Sequence, residues 1–79
     1  MTGITQNERY IEQLAVWVAN RRGVASLGLD SRYTPRDVRI DHLAQGYTVC
    51  AGRAYGLNLG RNAQRAEATL KAMGAARAE

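Results

Sequence analysis

The chain carries one histidine and one cysteine, His42 and Cys50, and any nucleophilic or general acid–base chemistry would have to be built from them. The residue alternation places them on opposite faces of a sheet, so they do not meet. His42 then reads as a packing residue beside Tyr47, and Cys50 as a small inert strand residue. A metal centre needs several N, S or O ligands at recognisable spacing, and no such group is present in the sequence. Gly52, Gly56 and Gly60 recur at four-residue intervals, but no Lys-Ser/Thr pair follows Gly60 and the phosphate-loop pattern is not matched. These glycines read as turn and close-approach residues. The inventory predicts a protein that is not an enzyme, with no catalytic residue, metal or cofactor.

Arginine is what the inventory supplies. Eleven cations stand against seven anions for a net charge of +4, and ten of the eleven are arginine. The guanidinium is a planar fork that binds phosphate or carboxylate bidentately, so the bias points to anionic partners. A GC-rich coding bias, the blander reading, also accounts for the arginine, alanine and glycine content. The positive balance does exclude inhibition by imitation of DNA, which needs a dense negative face. Arg61 and Arg65 lie at a helix start, Gly60-Arg61-Asn62, where unpaired amides and the helix dipole suit an anion. Arg32, Arg36 and Arg39, with Tyr33 among them, combine flat stacking with charge. Each group reads alternatively as solvated surface arginine. The candidate partner-binding residues are Arg36, Arg39, Tyr33, Arg53, Arg61 and Arg65.

The elements that must position these side chains follow from periodicity. Between Tyr47 and Leu59 the odd positions are mostly large and the even ones small, a strand signal. Thirteen extended residues would span roughly 43 Å, more than a globule of roughly 30 Å allows, so the segment bends. A three-residue loop, Gly52-Arg53-Ala54, pairs Ala51 with Tyr55, Val49 with Leu57 and Tyr47 with Leu59. Upstream, Thr34-Pro35-Arg36-Asp37 resembles a helix start, whereas Val38, Ile40 and His42 alternate with Asp37, Arg39 and Asp41. Register decides for a strand. A loop at 43–46 pairs His42 with Tyr47, Ile40 with Val49 and Val38 with Ala51, which puts the larger apolar groups on one face.

Helices flank this meander. Thr5-Gln6-Asn7-Glu8 has the capping-box form, and Tyr10, Ile11, Leu14, Trp17, Val18 and Arg21 recur at helical spacing up to Arg21-Arg22-Gly23, so a helix is predicted over about 6–22. Asn62 caps a second helix with the stripe Ala63, Ala66, Leu70 and Met73 and an exposed Glu67–Lys71 pair, ended by Gly74. The stretch 24–34 reads as a mobile surface connection with a short extended piece around 25–29. The expected fold is α+β: helix, three-stranded antiparallel meander, helix, with both helices on one face so that Trp17, Leu14, Leu70 and Met73 meet Val49, Leu57 and Ile40. The bare face of Thr48, Cys50, Gly52 and Asn58, rimmed by Asp37, Arg39 and Asp41, is a flat platform for a partner, and the third strand could extend a partner's sheet.

Seventy-nine residues make one domain, 1–79, with a frayed tail at 75–79. One cysteine excludes an internal disulfide, and no apolar run is long enough to span a membrane. Met1 to Gln6 lacks the basic and apolar regions of a signal peptide, so a cytoplasmic setting is expected.

The element order and the segment LNLGRNAQRAEATLKAM (Leu57 to Met73) resemble the third strand and second helix of the double-stranded RNA-binding domain. That family carries a lysine cluster where this chain has only Arg61 and Arg65, and its histidine-bearing loop is replaced by Leu43-Ala44-Gln45-Gly46. In size and character, with one compact core and no active site, the chain also resembles the small anti-CRISPR inhibitors of phages and mobile elements. That resemblance implies stoichiometric docking on a CRISPR effector in the host bacterial cytoplasm, blocking nucleic-acid binding or nuclease recruitment. Its implied partner is a protein complex of a bacterial defence system. The alternative is a nucleic-acid-binding module that uses the arginine surface directly.

Overall fold

A computed structural model describes residues 3–74, with side chains from residue 9 onward. The order is α1 (Gly3–Arg22), β1 (Val38–Leu43), β2 (Gly46–Ala51), β3 (Ala54–Asn58) and α2 (Ala63–Ala72), and the sheet order is β1-β2-β3. This is the α+β arrangement expected of the sequence. The radius of gyration is 11.4 Å, matching the ~11.6 Å expected of a folded chain this long. The smallest extent is 17 Å, room for one helix layer on one sheet and no third layer.

The helix α1 begins at Gly3, ahead of the expected Thr5 cap. The proposed Thr5–Glu8 capping box and the tail 75–79 lie outside the described side chains and residues. Its buried stripe is Ile11, Leu14, Ala15, Val18 and Ala19, rotated from the expected one. Two alanines allow close approach, and Trp17 is turned outward, 39% exposed. There its indole N–H donates to the Gly74 carbonyl at 3.1 Å and Arg21 lies 5.4 Å from its ring. A large indole therefore finds a polar partner and a cation at the layer's rim rather than a place in the core. Helix α2 follows expectation. The Asn62 side chain accepts from the Arg65 amide, Ala66 and Leu70 are fully buried, and Ala63 and Met73 pack beside them. Lys71, expected to pair with Glu67, instead sits 5.6 Å from the Tyr10 ring.

The β1–β2 ladder has the expected register, Val38 opposite Ala51, Ile40 opposite Val49 and His42 opposite Tyr47, but its turn is the shorter Ala44-Gln45. The β2–β3 ladder differs. Thr48 faces Asn58 in the expected register, but Cys50 faces Tyr55 and Ala51 faces Ala54, so the turn is the two residues Gly52-Arg53. Gly52 has φ +58°, the glycine-first order that tight II′ hairpins favour. The extra residue is taken up by a bulge on β3, where Gly56 and Leu57 together oppose Val49. As a result Tyr55 leaves the core face.

The segment 24–34 is a structural part of the fold rather than a mobile connection. Val24–Leu27 is a 3-10 turn, and Val24, Leu27 and Leu29 are buried in the core. Leu27 and Gly28 lie against Gly56, so this segment packs directly on β3. At the other edge the Ile40 amide donates to the Glu12 carboxylate of α1 at 3.3 Å. Val38, Tyr47, Val49, Ala51 and Leu59 line the face under the helices.

Candidate interaction surface

The strand register sorts the candidate contact residues. Val38 opposes Ala51, so the start of β1 lies beside the β2–β3 turn, and the Tyr33 ring is within contact distance of Gly52 in that turn. Tyr33, Arg36, Arg39 and Arg53 therefore gather at one end of the sheet. Arg61 and Arg65 lie at the other end, because the Gly60 carbonyl accepts from the Tyr47 amide at 2.8 Å, next to the β1–β2 turn. A six-residue strand, β2, separates the groups, roughly 17 Å. The candidates form two surfaces rather than one.

At the first end the arginines have few anions to satisfy. Asp30 pairs with Arg32 at 3.7 Å. The Asp37 carboxylate caps its own turn by accepting from the Thr34 amide at 2.9 Å. Arg39 turns back on the chain, donating to the carbonyls of Arg36 at 3.2 Å and Val38 at 3.1 Å. Its guanidinium is thus held in place without its charge being neutralised. Arg36, Arg39 and Arg53 are exposed and, among the described residues, make no ion pair. Arg32 stands 5.9 Å from the Tyr33 ring.

The sheet face away from the helices carries Arg39, Cys50 and Tyr55 in one row and Asp41, Thr48 and Asn58 in the next. Cys50 is 6% exposed and Thr48 4%, yet neither belongs to the helix-covered core cluster. Side chains of the sheet itself cover them. The Tyr55 hydroxyl, on β3, donates to the Asp41 carboxylate, on β1, at 3.5 Å, so the tyrosine crosses β2. Its other side faces water, and the residue is 57% exposed. Asn58 braces this face: its side-chain N–H groups donate to the Gln45 carbonyl at 3.1 Å and the Thr48 hydroxyl at 3.3 Å, and its oxygen accepts from the Gly60 amide at 2.9 Å. Burial, with the nearby charges of Asp41 and Glu12, holds the Cys50 thiol above its ordinary pKa, which Arg39 partly offsets. The thiol is protonated and unreactive at neutral pH.

His42 stacks on Tyr47 with ring centroids 4.3 Å apart and planes 6° from parallel, on the face opposite Cys50. Among the described residues no group of His, Cys, Asp or Glu could hold a metal ion. No helix among them is long and apolar enough to cross a membrane. Asn58 stands on the flat face expected from sequence, whereas Tyr55 was not among the surface residues singled out. Alternation assigned Tyr55 to the core, and nothing local in the sequence marks the bulge that moves it. Searched against family models, curated proteins and solved structures, the chain has no match in any of the three.

Proposed function

We propose that this chain is a non-enzymatic binding protein that acts by occupying an anionic surface of its partner. The partner ranked first is a subunit of a CRISPR effector complex, as for small phage inhibitors working in a bacterial cytoplasm. The observation that carries the reading is the cluster Arg36, Arg39 and Arg53 beside Tyr33, exposed and without a carboxylate partner among the described residues. Guanidiniums left unpaired on a rigid frame give up little on docking and favour an acidic pocket by charge complementarity. Docking there would block nucleic-acid entry or nuclease recruitment.

A second reading, direct binding of nucleic acid, is favoured by the exposed Tyr55 on the same side of the molecule as Arg39. Titrating the purified protein into an effector's target-DNA binding assay, alongside mobility shifts of free DNA and RNA at low salt, separates the two. The first reading expects stoichiometric loss of target binding and no shift of free nucleic acid. The second expects shifts that weaken steeply with salt as counterions are released. Turnover of a ligand with neither effect would overturn both.

A further inference from the structure

The bulge in β3 interrupts a ladder to place a large aromatic side chain in water, while the residues it shields, Cys50 and Thr48, are small enough to need little cover. Bulges commonly re-aim a side chain at a binding site. The ring so placed lies across β2, anchored at its hydroxyl by Asp41, with one side on the sheet and the other in solvent. Arg39, fixed by the Arg36 and Val38 carbonyls, stands in the same row two strands away, roughly 10 Å. Arg53 is in the turn that leads into the strand.

We infer that Tyr55 is a stacking platform for an unpaired base of single-stranded nucleic acid, with Arg39 and Arg53 holding the neighbouring phosphates. The inference rests on the reading of direct nucleic-acid binding and specifies its site. A flat aromatic face open to water accepts any base from one side, and cations on its flanks track the backbone. A duplex keeps its base faces stacked and cannot use such a ring. The charge on this side suits a phosphate backbone. The one carboxylate on the platform, Asp41, is engaged by the tyrosine hydroxyl, whereas Arg39 and Arg53 have no ion-pair partner among the described residues.

The test is fluorescence anisotropy at low salt with a dye-labelled oligothymidylate of about 10 nucleotides and with a duplex of equal length. Tyr55→Ala is expected to weaken the single strand by about tenfold or more and Tyr55→Phe by less than about threefold, since the phenyl ring still stacks. Arg39→Ala is expected to lower the salt slope by about one. Thermal melts verify that each variant folds. On the unsubstituted protein, adding the oligonucleotide is expected to move the Tyr55 ring proton resonances upfield, a readout independent of any variant. Unchanged ring resonances, or equal losses in Tyr55→Ala and Tyr55→Phe, would overturn the inference. Equal binding of duplex and single strand, indifferent to Tyr55→Ala, would overturn the platform and leave direct nucleic-acid binding standing. No binding of either would remove both, and binding to an effector protein alone, lost in Tyr55→Ala, would make the face a protein contact and overturn the inference.

Discussion

Gly56 has no room for a methyl group: a Cβ there would run into the Leu27 carbonyl oxygen and crowd Gly28. Both are backbone atoms that move only if the 3-10 turn moves, so Gly56→Ala is expected to destabilise the fold by about 1–3 kcal/mol in urea unfolding. Gly60 is the contrast, with open space around it but φ +87°, so Gly60→Ala costs only the left-handed backbone, about 1 kcal/mol. Cys50 sets a pH dependence of known sign. An acid whose pKa is raised in the fold keeps a proton that the unfolded chain would release, so its contribution is whole below the free thiol's value of about 8.5. It is lost as pH climbs past that value and through the folded one. Denaturation of the parent and of Cys50→Ala across alkaline pH should show a slope in the parent that the variant lacks. The direction of that shift depends on burial that the residue type alone did not imply.

Among the elements, α2 is the one whose local signals and tertiary environment agree. Its stripe is narrow and mostly alanine, so the cap matters more than in a helix with a large apolar face. Asn62→Ala removes the acceptor for the Arg65 amide, 3.0 Å away, and should cost about 1 kcal/mol in thermal or urea unfolding, while Asn62→Asp should keep most of it. Helix α1 shows the opposite relation. Its period was legible, but the choice of face was not, because Tyr10 and Trp17 outweigh Ala15 and Ala19 in any count of apolar size. Packing decided otherwise: alanines let α1 approach β1 and α2, and the aromatic residues went to the rim, where Trp17 meets Gly74 and Tyr10 meets Lys71. The segment 24–34 escaped periodicity because a single 3-10 turn followed by one buried leucine is too short to have a period.

For the molecule as a whole, the separation of the arginines by the length of β2 has a functional consequence. Reversing Arg36, Arg39 and Arg53 together to glutamate should reduce partner binding by at least about tenfold, whereas reversing Arg61 and Arg65 should leave it within about threefold, as read by titration against the partner or nucleic acid. Equal effects would mean that both ends are engaged at once. Glu12 holds the Ile40 amide at β1 and Leu27–Gly28 pack on Gly56 of β3, and the flat face and the arginine end are the surfaces that carry the exposed Tyr55, Arg36, Arg39 and Arg53. From sequence alone came the α+β order, the β1–β2 register, the cap of α2 and the grouping of Arg36 and Arg39, because each rests on residues close in the chain or on strict alternation. The tertiary structure decided which side of the sheet received Tyr55, which face α1 buried and which arginines became neighbours. A one-residue bulge reverses every side chain beyond it at little local cost, and its placement depends on how Leu27 and Gly28 fit against Gly56, a contact between segments far apart in the chain.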